Sequence, residues 1–204
     1  MAKKPIKVMI SSSVYGAQSL LRQTYGTLKQ FGYEVICSPV GSLPVDPNES
    51  NRTNCLQAVK GCDIFVGLVR PIYGSGRDTK TGKSITHEEL EKAVDLGIPR
   101  WVLAHSSVVK MRSLVRHLFY ENDGSRKDTE FKPLKGEFDD PRVIEMYDLA
   151  ADNHSKKPWS QRKNNWVQEY HYDFEALDYL SNQLADTKRV ASYLEKGGKT
   201  NGNT

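Results

Sequence analysis

Three glutamates, Glu88, Glu89 and Glu91, follow a hydroxyl-rich turn in the segment SITHEELEKAVDLGIPR, residues 84–100. A carboxylate at the start of a helix has two uses. It can cap: Thr86-His87-Glu88-Glu89 has the T-x-x-E form of a capping box, with Thr86 as N-cap, which satisfies two orphan N–H groups and suits the helix dipole. It can also point across a sheet edge into a cleft, where it binds a ribose hydroxyl or stabilises an oxocarbenium-like centre. The two uses are compatible, because a capping carboxylate is already held rigid. His87 reads as an exposed residue of the first helical turn, or as a second polar contact.

Two further stretches carry groups that hold phosphates or ribose hydroxyls. One is SSSVYG, with Ser11, Ser12, Ser13 and Tyr15; the other is RPIYGSGRDTKTGKS, with Tyr73, Gly74 and Ser84, which runs on into Thr86. Their backbone N–H groups and hydroxyls suit a polar ligand. The same residues also serve an ordinary helix cap and a flexible turn. Neither stretch is a P-loop, since GxxxxGK followed by Ser or Thr is absent, and neither is the GxGxxG dinucleotide fingerprint. Cys37, Cys55 and Cys62 fit no metal-ligand spacing and read as reduced thiols.

These residues need elements to position them, and the pattern supplies an alternation. IKVMIS, YEVICS, DIFVGLV and RWVLA are short β-rich runs, the third apolar on both faces and so expected at the centre of a parallel sheet. Between them lie helical periods: Leu21, Tyr25 and Leu28; Leu56 and Val59; then Leu90, Ala93, Val94 and Gly97 at i, i+3, i+4 and i+7. A fourth helix follows, with Val108, Met111, Leu114, Val115 and Leu118 expected inward. Such alternation predicts an open, mostly parallel α/β sheet with flanking helices and right-handed crossovers, in which ligands bind beyond the carboxyl ends of the strands.

Residues 121–165 read as long polar loops around a short helix at VIEMYDLAA, and the chain from Trp166 on reads as helical. The expected organisation is an α/β domain over 1–120, a loop-rich and helical C-terminal extension over 121–196 packing on or near it, and a disordered tail over 197–204. Trp159, Trp166, Tyr170, Tyr172 and Phe174 suit either an oligomer interface or a helix packed back on the sheet.

With 204 residues, 38% hydrophobic residues and a formal net charge of +4, the composition is that of a globular protein. The pairs Lys156-Lys157 and Arg162-Lys163 lack interleaved stacking aromatics and read as solvated charge, so no nucleic-acid partner is expected. No stretch approaches the roughly 18 apolar residues of a membrane span, and MAKKPIKVMISSS is too short in apolar residues for a signal peptide. The expectation is a soluble cytoplasmic protein without membrane association.

The blocks KVMISSSVYG, GCDIFVGLVRPIYGSG and SITHEELEKAVDLGIP, in this order, resemble the family catalogued as domain of unknown function 4062. DPRVIEMYDLA and NNWVQEYHYDFEALDYLSNQL resemble the tails of its short bacterial members. The resemblance implies a flavodoxin-like, TIR-like fold, similar in outline to nucleoside 2-deoxyribosyltransferases. Both kinds of relative act on an N-glycosidic bond and use a glutamate on the helix after the central strand. In the transferase pattern that glutamate stands four residues before a small residue, ahead of Gly-x-Pro. Here it is Glu89, four before Ala93, with Gly97-Ile98-Pro99 beyond.

Ser11 and Ser12 would line the phosphate or ribose side, Tyr73 and Gly74 would shape the mouth, and Asp63 would be structural. The implied activity is cleavage or cyclisation of NAD as substrate, with no separate cofactor, in antiphage defence signalling. The same resemblance implies a homo-oligomer and an effector protein responding to the product. A non-catalytic nucleotide- or protein-binding module and a deoxyribosyltransferase-like enzyme are the alternatives.

Overall fold

The segment Ile64–Val69 is apolar or Gly at every position and buried at every position, as a strand must be when strands flank it and helices cover both its faces. It forms β3 of the protein, whose structure is a computed structural model describing residues 4–119, 121, 127 and 140–198. The other strands are β1 (Lys7–Ser12), β2 (Glu34–Ile36), β4 (Arg100–His105) and β5 (Val167–Tyr170). All pair in parallel in the order β2-β1-β3-β4-β5, the flavodoxin-like arrangement. The order reverses between β1 and β3, where Val8 faces Ile64 and Ser11 faces Gly67.

The helices are α1 (Gln18–Gln30), α2 (Asn51–Gly61), α3 (Ile85–Asp95), α4 (Ser106–Phe119), α5 (Arg142–Ala150), α6 (Asp173–Leu184) and α7 (Thr187–Gly198). They cover the sheet in two layers, and the period-2 alternation of β1 sorts its side chains between them. Val8 and Ile10 join Leu20, Leu21 and Leu28 of α1 and Leu180 and Leu184 of α6 in one core. Met9 joins Val59 of α2, Leu90 and Ala93 of α3, Val108 of α4 and Ile144 of α5 in the other. Ser11, two residues after Met9, therefore faces the α2–α3 layer. Gly67 sits at a close approach: an added Cβ would stand 3.0 Å from the Phe65 ring, which would have to shift to admit it.

Three expectations change. The C-terminal segment supplies a strand as well as helices: β5 pairs with β4 from Val102–Val167 to His105–Tyr170. It is a four-residue edge strand of polar and apolar residues without alternation, so its sequence carries no strand signal and its pairing comes from tertiary context. Leu114 and Leu118 are exposed, at 70% and 52%. At 100° per residue Leu114 lies about 120° round the helix from Val108, off the buried row that Val108, Met111 and Val115 follow. Helix α7 runs to Gly198, past the point where a disordered tail was expected. The polar loop expected at 121–139 lies, except for residues 121 and 127, outside the described residues, as do residues 199–204. No described helix is long and apolar enough to cross a membrane.

Candidate active-site cleft

A cleft of about 280 Å³ opens at the carboxyl end of β1, beside the β1–β3 reversal of strand order. Its walls come from four places: Ser11, Ser12 and Ser13 at the end of β1; Ser38 and Pro39 after β2; Asn51, Asn54 and Cys55 on α2; and Thr86 and Glu89 on α3. Ser75, from the loop before α3, completes the polar lining. Among these described residues Glu89 is the one ionisable carboxylate, and no Lys, Arg or His lines the space.

The three glutamates divide cleanly. Glu88 pairs with Arg52, and Glu91 with Lys83 at 2.5 Å. Glu89 is 6% exposed and turned inward, where Ser11 Oγ donates to its Oε2 at 2.5 Å. Burial pushes its carboxyl up to about 7, even though the bonds from Ser11 and Cys55 favour the ionised form. A buried carboxyl poised near neutrality in a cleft is a common mark of a functional site. The Cys55 thiol, raised to about 12 by burial and by Glu89, is no thiolate at neutral pH and so no nucleophile.

Glu89 does not cap its helix. The N-cap is Ser84, whose Oγ accepts from the His87 N–H at 3.3 Å, so a single side-chain cap two residues earlier takes the place of the Thr86–Glu89 capping box. Ser and Thr are near-equal caps, and the backbone of the preceding loop decides between them. Glu89 thus falls in the second turn, on the face that meets β1. Ser84→Ala is expected to destabilise the protein by about 1 kcal/mol, as cap losses do; urea denaturation with an unchanged midpoint would show that the cap contributes nothing.

Of the residues expected to bind substrate, Ser11, Ser12, Ser13 and Thr86 line the cleft together with Glu89. Ser13 is 4% exposed, and its buried Oγ has no hydrogen-bond partner among the described residues. Gly74 acts through its backbone: at φ +95° it lets the loop close to where a Cβ would touch Ser13 and Thr86 at 3.5 Å.

Tyr73, Ser84 and Tyr15 do not line the cleft. Tyr73 is fully buried in the core, its hydroxyl 2.7 Å from His87 Nδ1 and the Arg142 guanidinium 4.5 Å from its ring centre. Ser84, also fully buried, is occupied as the cap. Tyr15 is 75% exposed; its carbonyl, with that of Gly16, accepts from Arg70 at 3.0 and 2.9 Å, which ties the β1–α1 loop to the end of β3.

His87 is buried, not exposed, because the Ser84 cap turns it toward Tyr73. Burial first, then Lys83 and Arg142, lower it to about 4, so the imidazole is neutral at pH 7. Asp63 is structural as expected, its carboxylate accepting from the Lys7 N–H at 2.8 Å.

Asn51, Asn54, Cys55 and Ser38 were not foreseen. The helix of the first three, α2, carried only a Leu-Val spacing as its signal, and Ser38 lies in the turn after β2. Asn54 also braces the cleft wall, accepting from the Asp46 N–H at 2.9 Å and donating to the Asp46 carbonyl at 3.1 Å.

The family described as Domain of unknown function (DUF4062) matches residues 7–187. No curated protein matches the chain significantly. Among solved structures, one titled as the crystal structure of a conserved protein from Enterococcus faecalis V583 aligns over 89% of this chain and 100% of that one, with 13% identity and a TM-score of 0.39.

Proposed function

The chain belongs to the DUF4062 family, a membership that assigns no chemistry, and from its cleft we propose that it cleaves the N-glycosidic bond of a nucleotide, with NAD as the substrate and Glu89 as the reacting carboxylate. The observation that carries this reading is Glu89 itself: a buried carboxylate, held by Ser11 at 2.5 Å, in a serine-lined cleft at the switch point of the sheet.

The nicotinamide of NAD is already cationic, so its departure needs no strong general acid. The C1′–N bond breaks with its electron pair going to the ring nitrogen, which neutralises the leaving group. The positive charge that develops at C1′ is stabilised by ionised Glu89, through space or by transient covalent capture. Water then adds to C1′ and loses a proton, giving ADP-ribose and free nicotinamide. Ser11, Ser12, Ser13 and Thr86 offer hydroxyls for the ribose. A cavity of about 280 Å³ is at the small end of ligand pockets and suits the nicotinamide–ribose part, with the phosphates toward the mouth. In this reading the product is a nucleotide signal for a second protein, in antiphage defence, and self-association sets activity.

One observation favours a second reading. Among the described residues no cation lines the cleft, which suits an uncharged nucleoside and a transfer of its sugar from one base to another. Chromatography of the purified chain with NAD, and in parallel with deoxyinosine plus adenine, separates the two. Nicotinamide release is the expected result. Deoxyadenosine formation instead would move the assignment to base exchange, and neither product would leave a binding module.

A further inference from the structure

A second concavity, of about 340 Å³, lies at the opposite edge of the sheet from Glu89. It is formed where β4 begins, with Arg100 and Trp101, by Trp166 just before β5, and by Tyr179, Gln183 and Tyr193 of α6 and α7. Four of its six lining residues are aromatic and one is a cation, a composition quite unlike that of the serine-lined cleft.

Arg100 is the unusual member. Its Nε is buried and has no hydrogen-bond partner among the described residues. No carboxylate forms an ion pair with its guanidinium among those residues; Asp152 is near enough only to favour its charge at a distance. Its backbone N–H is separately satisfied by Asn164 Oδ1 at 2.9 Å, so the strand start does not depend on the side chain. A half-buried guanidinium is normally matched by an anion, because its five donors form a rigid fork for a carboxylate or phosphate. Around it stand flat faces, of which Trp166 is 70% exposed and Tyr193 45% exposed. Such walls stack a planar ring.

We infer that this aromatic groove is a binding site, separate from the Glu89 cleft, for a small planar aromatic anion, its oxyanion on the unmatched fork of Arg100 and its ring between Trp166 and Tyr193. An aryl carboxylate and a nucleoside monophosphate share this chemistry, and both are small enough for the space.

The test uses the full chain labelled with 5-fluorotryptophan. Its three tryptophans give three fluorine NMR signals, assigned by single Trp→Phe variants. Trp101 and Trp166 line the groove, and Trp159, which is 69% exposed and does not line it, is the internal control. Benzoate and AMP are titrated to about 10 mM, the range of weak fragment binding, beside benzamide and adenosine as neutral counterparts.

The expected result is a saturable shift of the Trp101 and Trp166 signals with at least one anion, no matching shift with its neutral counterpart, and a loss of affinity of about tenfold or more in Arg100→Gln. Saturation by AMP alone would identify the phosphate source, and by benzoate alone the carboxylate source. The unmoved Trp159 signal of Arg100→Gln reports that the variant is folded. No saturable shift with either anion, or equal binding of the neutral molecules, or unchanged binding in Arg100→Gln would overturn the inference.

Discussion

Glu89→Gln is expected to lower release of the base from the glycosidic substrate by about 10³-fold, the scale on which removal of one charge-stabilising or proton-handling group acts in a water-excluded site. The substitution keeps the size of the side chain and an oxygen that accepts from Ser11 Oγ. It removes only the negative charge that the developing cation at C1′ needs. Since the α3 cap is Ser84, the variant loses no cap and keeps its helix start. A rate within threefold of wild type would mean that Glu89 is a structural residue of the cleft wall and that the chemistry lies elsewhere.

The same substitution is expected to stabilise the protein, by an amount that grows as pH rises from about 4.5 to about 7 and is constant above that. Glu89 titrates near 7 in the folded chain against a reference of 4.5, because burial disfavours its charge. Its folded-state value is raised, so the folded protein holds a proton that the unfolded chain has lost between these two values. Stability from this group is therefore full below about pH 4.5 and is lost as pH rises through about 7. The gap corresponds to about 3 kcal/mol at its full extent.

Gln carries no charge at any pH. Urea unfolding of the two proteins should give similar free energies near pH 5. Near pH 8.5 Glu89→Gln should be the more stable, by up to about 3 kcal/mol. A difference that stays constant across that range would show that Glu89 is not charged at the cost of folding. Loss of activity together with a gain in stability is the usual signature of a strained functional group.

Much of this was legible in the sequence. The four principal strands announced themselves as short β-rich runs, and the all-apolar Ile64–Val69 segment predicted its own place at the centre. The Ser11–Ser13 run was picked out by type and position and Glu89 by the resemblance to the transferase pattern, and they do share the cleft. What was hidden depended on three-dimensional competition. Ser84 and Thr86 are equally good caps in one dimension; the choice between them moved Glu89 into the cleft and His87 into the core. Tyr73 was expected at the mouth because the resemblance implied it, yet its ring fills the space between α3 and Arg142. Strand β5 has no period of its own and exists because β4 offers it an unpaired edge.

The cleft also accounts for what a single residue does not show. Glu88 and Glu91 pair with Arg52 and Lys83, so those two carboxylates are matched by cations. Glu89 is left facing a space that no cation lines among the described residues. That arrangement favours a positive or developing positive centre beside Glu89.

The most direct test of the account is the rate of nicotinamide release from NAD between pH 5 and 8.5, measured for wild type and Glu89→Gln side by side at a protein concentration high enough for self-association. The account predicts a wild-type rate that rises with pH, levels off above a midpoint near 7, and is absent from the variant across the range. Release by Glu89→Gln that matches wild type at any pH, or no release from wild type at any pH, would contradict it.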